Sequence, residues 1–125
     1  MFLTLIQVAA GGAAGASLRW ISGIGITRMV GQGFPMAIIS VNVLGSVLMG
    51  LFVVFAGQRG LTHLSPLVMT GFLGGFTTFS AFSLETVTLI ERGELGTAAA
   101  YVLLSVVLSV GGLALGVWLA RAGLA

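Results

Sequence analysis

The chain has 125 residues, enough for one domain, and 58% of them are hydrophobic whereas 6% are charged. Soluble domains carry about a quarter charged residues, so this composition, with a mean hydropathy of +1.18, excludes a soluble enzyme, a soluble nucleic-acid-binding protein and a disordered tail. The net charge of +2 arises from five Arg and three Glu, which is too little basic surface to attract a polyanion.

The charged residues divide the chain into long uncharged stretches. About 20 apolar residues cross the roughly 30 Å hydrocarbon core of a bilayer, so the stretches predict transmembrane helices over residues 2–24, 35–56, 64–90 and 95–120. The connections are too short for a second domain; they cover about residues 25–34, 57–63 and 91–94. We therefore expect residues 1–125 to form a single all-α, four-helix membrane domain with both termini on one side. Its first residues are predicted to begin a membrane helix rather than a signal peptide.

The first predicted span contains a glycine pair and an arginine. Gly11 and Gly15 form a GxxxG pair, as do Gly112 and Gly116 in the fourth span, and such pairs let membrane helices approach closely. Arg19 lies near the end of the first span. Its guanidinium either snorkels to the interface or forms a cationic vestibule that raises the local anion concentration.

The second predicted span carries one strongly polar side chain, Asn42. Its amide presents donors and an acceptor that need partners in hydrocarbon. Asn42 therefore either forms a hydrogen bond between helices or lines a polar path. Gly45 and Gly50 leave one side of the same helix without side chains at two positions, which again predicts close packing.

The third predicted span contains a segment with poor helix propensity, GFLGGFTTFS at residues 71–80. Three glycines within five residues precede two adjacent β-branched threonines, and no water at this depth can satisfy a frayed backbone. We therefore expect two half-helices joined near mid-membrane by an unwound stretch, Gly74 to Thr78.

The carbonyls of such an unwound stretch are ready ligands for a small cation. One hypothesis is that carbonyls near Gly74 and Thr77 bind a Na⁺-sized ion that stabilises an antiparallel dimer. Each of the two subunits would contribute two carbonyls. The other is a glycine-rich kink that permits close packing and binds no ion. Dependence of dimer assembly on Na⁺ would separate the two.

Two phenylalanines and a glutamate follow the predicted break. Phe79 and Phe82 are three residues apart and share a helix face. The positive edges of their rings can stabilise an anion without supplying a full charge; the ordinary alternative is that both rings face lipid or the protein core. Glu85 lies near the end of the span and can snorkel. His63, alone in a loop, has no partner for a metal site or a nucleophile pair.

The fourth predicted span carries hydroxyl groups at intervals of four residues, on Tyr101, Ser105 and Ser109. This spacing places all three on one face of the helix. They form either a polar track along the helix or a set of hydroxyls that bond the carbonyls of their own helix.

The arginines give almost no orientation signal. Arg59 and Arg121 lie on the side of the predicted termini, and Arg19, Arg28 and Arg92 on the other. Because the Lys and Arg bias of short loops sets membrane orientation, this chain is a candidate for insertion both ways round and for an antiparallel dimer. The alternative is that the difference of one arginine still sets a single orientation.

Several of these segments together resemble the Fluc (CrcB) family of small fluoride channels. The resemblance runs across the chain, through GGAAGASLRW at 11–20, VNVLG at 41–45, GFLGGFTTFSAFSLE at 71–85 and the hydroxyl spacing of the last helix. It implies an antiparallel, dual-topology homodimer in a lipid bilayer, with two separate fluoride pores and a structural Na⁺ at the subunit interface.

Carried over position by position, the resemblance also assigns site residues. The implied fluoride pore is lined by Asn42, Phe79, Phe82, Tyr101, Ser105 and Ser109. Arg19 matches the vestibule arginine, and Gly74 and Thr77 match the backbone ligands of Na⁺. The positions expected beside the pore are Thr78, Ser80, Ser83 and Glu85. Ala81 departs from the family pattern, in which many members have Thr, and so lacks a hydroxyl.

The expected function is passive export of cytoplasmic fluoride by a multi-pass protein of the cell inner or plasma membrane. The first alternative is a small dual-topology exporter of cationic drugs, which would need a carboxylate near mid-span, whereas all three Glu are predicted at or beyond helix ends. The second is a non-transporting assembly subunit, which leaves Asn42 and the hydroxyl track without a purpose. No Ser/His/Asp set, carboxylate pair or phosphate loop occurs, so we do not expect an enzyme or a nucleic-acid partner.

Overall fold

A computed structural model describes residues 1–31 and 34–123, and the described chain is all-helical. Its long helices are α1 (Phe2–Val30), α2 (Met36–Arg59), α4 (Phe79–Glu91) and α5 (Leu95–Gly123). Between α2 and α4, a 3₁₀ turn (Thr62–Leu64) leads into α3, which is π-helical over Pro66–Leu73 and α-helical over Gly74–Phe76. The four predicted helices are therefore present, and the third consists of two parts, α3 and α4.

The first two helices are longer than predicted. The first continues through residues 25–30, which were expected in a connection, and the second continues to Arg59. Each ends at a glycine with positive φ, 82° at Gly31 and 68° at Gly60, a conformation that glycine adopts without strain. The rest of the predicted connection at 25–34 includes residues 32 and 33, which lie outside the described residues. The last connection is as short as predicted.

Three stretches of the described chain are long and apolar enough to cross a membrane: Met36–Arg59, Thr62–Glu91 and Leu95–Gly123. They correspond to the second, third and fourth predicted spans. The first predicted span, residues 2–24, lies in a helix of 29 residues but is not one of the three. The polar side chains of Gln7 and Arg19 and several small residues make this helix less apolar than the others.

Glycines bring the helices into backbone contact, as the sequence predicted. On α2 and α5, a Cβ atom added to Gly50 would collide with the Leu113 carbonyl, and one added to Gly116 with the Val47 carbonyl. On α1, the same is true of Gly15 and the Phe72 carbonyl. The fold is thus built from two tightly packed pairs, α2 with α5 and α1 with α3.

The third span is broken, at its threonines rather than at its glycines. Thr77 (φ −89°, ψ 155°) and Thr78 (φ −152°, ψ 124°) are extended, whereas Gly74 remains helical (φ −64°, ψ −35°). β-branched residues favour extended backbone, and Thr78 also serves as N-cap of α4, because its Oγ1 accepts a hydrogen bond from the Ala81 N–H at 3.1 Å. The predicted break is confirmed, but it is shorter than Gly74 to Thr78.

Candidate functional site

The broken segment is bound from α2 by the side chain of Asn42. The Asn42 Nδ2 donates to the Thr78 carbonyl at 3.0 Å, and the Thr78 N–H donates to Asn42 Oδ1 at 2.7 Å. One amide therefore satisfies both backbone groups of an extended residue, in place of helical partners. Of the two interpretations that the sequence left open, the bond between helices is present, and Asn42 in addition lines a cavity.

From α1, Arg19 reaches the other side of the break. Its Nε donates to the Gly75 carbonyl at 3.1 Å, and the side chain is half-buried. A cation at the carboxyl end of a helix is stabilised by the helix dipole. Arg19 therefore contacts the end of α3 rather than only extending to the interface, and the guanidinium retains further donors beyond Nε.

Two backbone carbonyls at the break lose the donors that a continuous helix would supply. The Thr78 N–H, which would bond to the Gly74 carbonyl, instead donates to Asn42. The Ala81 N–H, which would bond to the Thr77 carbonyl, instead donates to the Thr78 hydroxyl. These are the two carbonyls that the family resemblance implies as Na⁺ ligands, and oxygen ligands of this kind suit a hard cation.

Neighbouring carbonyls at the end of α3 are occupied. The Leu73 carbonyl accepts from both the N–H of Thr77, at 3.0 Å, and its hydroxyl, at 2.8 Å. The Gly75 carbonyl accepts from Arg19. Gly74 itself is exposed on the surface of the single chain. The donor set thus fits a small cation at Gly74 and Thr77.

A cavity of about 290 Å³ lies against the break, between α2, α4 and α5. Seven of the residues predicted at the site line it: Asn42, Thr77, Thr78, Phe79, Phe82, Ser105 and Ser109. The structure therefore brings together residues from three predicted spans that are up to 67 positions apart, since the range runs from 42 to 109.

The cavity lining also contains three residues that were not predicted, Ser46, Val106 and Val110. Ser46 follows Asn42 by four residues and so occupies the same face of α2. This spacing was the signal that could have identified it. The two valines follow Ser105 and Ser109 directly and complete the α5 wall.

Aromatic rings continue from the cavity into the core. The centroids of Phe79 and Phe82 are 5.4 Å apart, those of Phe82 and Tyr101 5.3 Å, and those of Tyr101 and Phe34 5.6 Å. Phe79 is 78% exposed in the single chain, whereas Phe82 is half-buried. Both rings line the cavity, and Phe82 also packs against the buried core. Their role toward an anion stays a prediction. Phe34 was missed because it lies in a predicted connection.

Two hydroxyls on α5 are buried without a hydrogen-bond partner in the described part of the chain, Tyr101 Oη and Ser105 Oγ. Leaving a buried polar group unsatisfied costs about 1–3 kcal/mol, so each needs a polar ligand or water. On α4, by contrast, the Ser83 Oγ donates to the Phe79 carbonyl of its own helix at 2.9 Å. Of the two unpartnered hydroxyls, Ser105 lines the cavity.

The other predicted site residues do not line this cavity; they are Arg19, Gly74, Ser80, Ser83, Glu85 and Tyr101. Ser80 is exposed, with its Oγ 3.3 Å from the Thr78 hydroxyl. Tyr101 is fully buried behind Phe82. Glu85 is half-buried and lies six residues before the end of α4 at Glu91, near the end of the third span as predicted.

The sequence is similar to a known family and to several named proteins. The family model described as "CrcB-like protein, Camphor Resistance (CrcB)" matches residues 6–117. A protein of Roseobacter denitrificans named "Fluoride-specific ion channel FluC" is 68% identical over 120 residues, covering 94% of this chain and 95% of the relative. A protein of the same name from Ruegeria sp. is 61% identical over 97% of both chains. Another from Cereibacter sphaeroides is 53% identical over 100% of both chains.

These matches extend over nearly all of the chain, including the broken third span and the hydroxyl-bearing last helix, and they confirm the resemblance drawn from the sequence. The chain belongs to the CrcB family.

Proposed function

We propose that this protein is a passive, fluoride-selective ion channel. The observation that carries the proposal is the cavity at the helix break, which combines an asparagine, hydroxyl groups and two phenylalanine rings with no charged residue among those described in its lining. The name of its relatives, "Fluoride-specific ion channel FluC", supports fluoride as the ion.

The chemistry of the lining suits a small anion. Moving a bare ion into a low-dielectric medium costs on the order of tens of kcal/mol, so a pore has to replace the water around the ion without trapping it. Asn42 and the hydroxyls of Ser105 and Ser109 supply neutral donors, and the ring edges of Phe79 and Phe82 supply weak positive potential. Such distributed ligands permit both entry and exit, whereas a full charge would hold the anion too long.

The proposed assembly is an antiparallel, dual-topology homodimer with two pores and a Na⁺ between the subunits. It is supported by the two carbonyls without helical donors, at Gly74 and Thr77, and by the nearly even distribution of arginines. Two carbonyls from each subunit would hold the ion, and a bound Na⁺ supplies positive charge that compensates these oxygens. Gly74 and Thr77 contribute backbone carbonyls, so the side chain of Thr77 is free to pack against α2.

The proposed role in the cell follows from the acidity of HF. Neutral HF crosses a membrane and ionises inside, and a passive anion pathway in the inner or plasma membrane then lets fluoride leave under a negative-inside potential. The described cavity lining contains no carboxylate, which a proton-coupled exporter of cationic drugs would need. The anion channel is therefore the function that this site supports best.

The decisive experiment is efflux from liposomes that contain the purified protein. Vesicles loaded with fluoride or with chloride are diluted into ion-free medium, and release is recorded with ion-selective electrodes and a K⁺ ionophore. Rapid fluoride release with little chloride release supports the proposal. If neither anion is released from vesicles in which insertion has been verified, the proposal is wrong.

A further inference from the structure

We propose that Gly45 is a positioning residue that sets the geometry of the broken segment, by leaving room on α2 for the side chain of Thr77. Gly45 and Asn42 are three residues apart and lie on the same face of α2. Asn42 holds the backbone of Thr78 with two hydrogen bonds. Gly45 makes room for the side chain of Thr77, the residue before Thr78. Together they form a cradle on α2 that matches the break.

The contact at Gly45 differs from the other close contacts of α2. A Cβ atom at Gly45 would collide with the Thr77 Cγ2 methyl and would lie 3.2 Å from the Phe76 Cδ2. At Gly50, on the same helix, the atom met is a backbone carbonyl of Leu113. Gly50 therefore allows two helices to approach, whereas Gly45 accommodates two side chains of the third span.

Thr77 cannot easily turn its methyl away from Gly45. Its hydroxyl donates to the Leu73 carbonyl at 2.8 Å, and a rotation about χ1 that removed the methyl from α2 would break this bond. With the rotamer held, an added methyl at position 45 displaces Thr77 itself. The Thr77 carbonyl and the adjoining Thr78 N–H then move away from Asn42.

The consequence for conduction rests on the proposed function. Thr77 and Thr78 line the cavity, and the Thr77 carbonyl is one of the proposed Na⁺ ligands. A displaced break therefore alters both the pore wall and the ion site. A merely structural role of Gly45 would instead lower stability without depending on the identity of residue 77.

The test compares Gly45→Ala, Thr77→Ser and the double variant, with Gly57→Ala as matched control. Gly57 is also in α2, and a Cβ there meets nothing within 4 Å. Thr77→Ser removes the methyl that collides and keeps the hydroxyl. The main readout is hydrogen exchange at the Thr78 and Ala81 amides, which does not require conduction; fluoride efflux is measured in parallel.

We expect Gly45→Ala to accelerate exchange at Thr78 by about tenfold, which corresponds to the loss of roughly one hydrogen bond, and to reduce fluoride efflux. The double variant should return to the values of Thr77→Ser alone, and Gly57→Ala should resemble wild type. If Gly45→Ala does not assemble, recovery of assembly in the double variant supports the proposal, and its failure there overturns it.

The proposal is also overturned if Gly45→Ala exchanges like the Gly57 control, or if Thr77→Ser does not rescue it. Failure of the proposed function is recognised separately. In that case wild-type protein releases no fluoride, while the exchange data still decide whether Gly45 positions the break.

Discussion

Replacing Asn42 by alanine removes the two hydrogen bonds that hold the extended Thr78, at 3.0 Å and 2.7 Å. A net hydrogen bond contributes about 0.5–1.5 kcal/mol, and a buried group left unsatisfied costs about 1–3 kcal/mol. Because the break borders a cavity that water can enter, we take the lower part of these ranges. Asn42→Ala should then destabilise the segment by about 2 kcal/mol, equivalent to roughly a thirtyfold shift in its local opening equilibrium.

The assay is hydrogen exchange of the Thr78 amide in the reconstituted protein, with global unfolding measured alongside. Ser46→Ala is the matched control, since Ser46 lies one turn further along the same face of α2 and lines the same cavity, yet takes no part in the hydrogen bonds to Thr78. The loss should therefore be specific to position 42. Equal exchange rates at Thr78 in the two variants would refute the reasoning.

Phe79→Ile and Phe82→Ile should each reduce fluoride efflux at least tenfold, which corresponds to a barrier increase of about 1.4 kcal/mol. Size-exclusion chromatography should show that both variants assemble like wild type. Efflux at the wild-type rate would contradict the role of the rings. Arg19→Ala should reduce efflux less than either Phe variant, and Arg19→Lys, which keeps the charge without Nε, reports whether charge or the bond to Gly75 matters. If Arg19→Ala reduced efflux more than the Phe variants do, Arg19 would belong to the narrow part of the pore. Replacing Na⁺ by a bulky organic cation should dissociate the proposed dimer in detergent, and indifference to that exchange would favour a kink without an ion.

Much of the site was predictable because short-range spacing determines which residues share a helix face. The four-residue interval from Ser105 to Ser109 and the three-residue interval from Phe79 to Phe82 placed each pair on one wall, and both pairs line the cavity. Spacing does not determine which residue of a stripe reaches the cavity, because that depends on partners far away in sequence. Tyr101, on the same stripe as Ser105, is covered by Phe82 and Phe34 and does not line the cavity.

The sequence by itself determined that this is a helical membrane protein with a broken third span, because hydropathy and helix propensity act locally along the chain. Tertiary structure alone decided where the break lies and what holds it. Gly74 and Gly75 were predicted in the unwound stretch, yet both remain helical. Gly75 packs against α1, where an added Cβ would lie only 2.7 Å from the Gly12 carbonyl. The chain opens instead at Thr77 and Thr78, since Asn42 on another helix replaces the hydrogen bonds that an opened backbone loses.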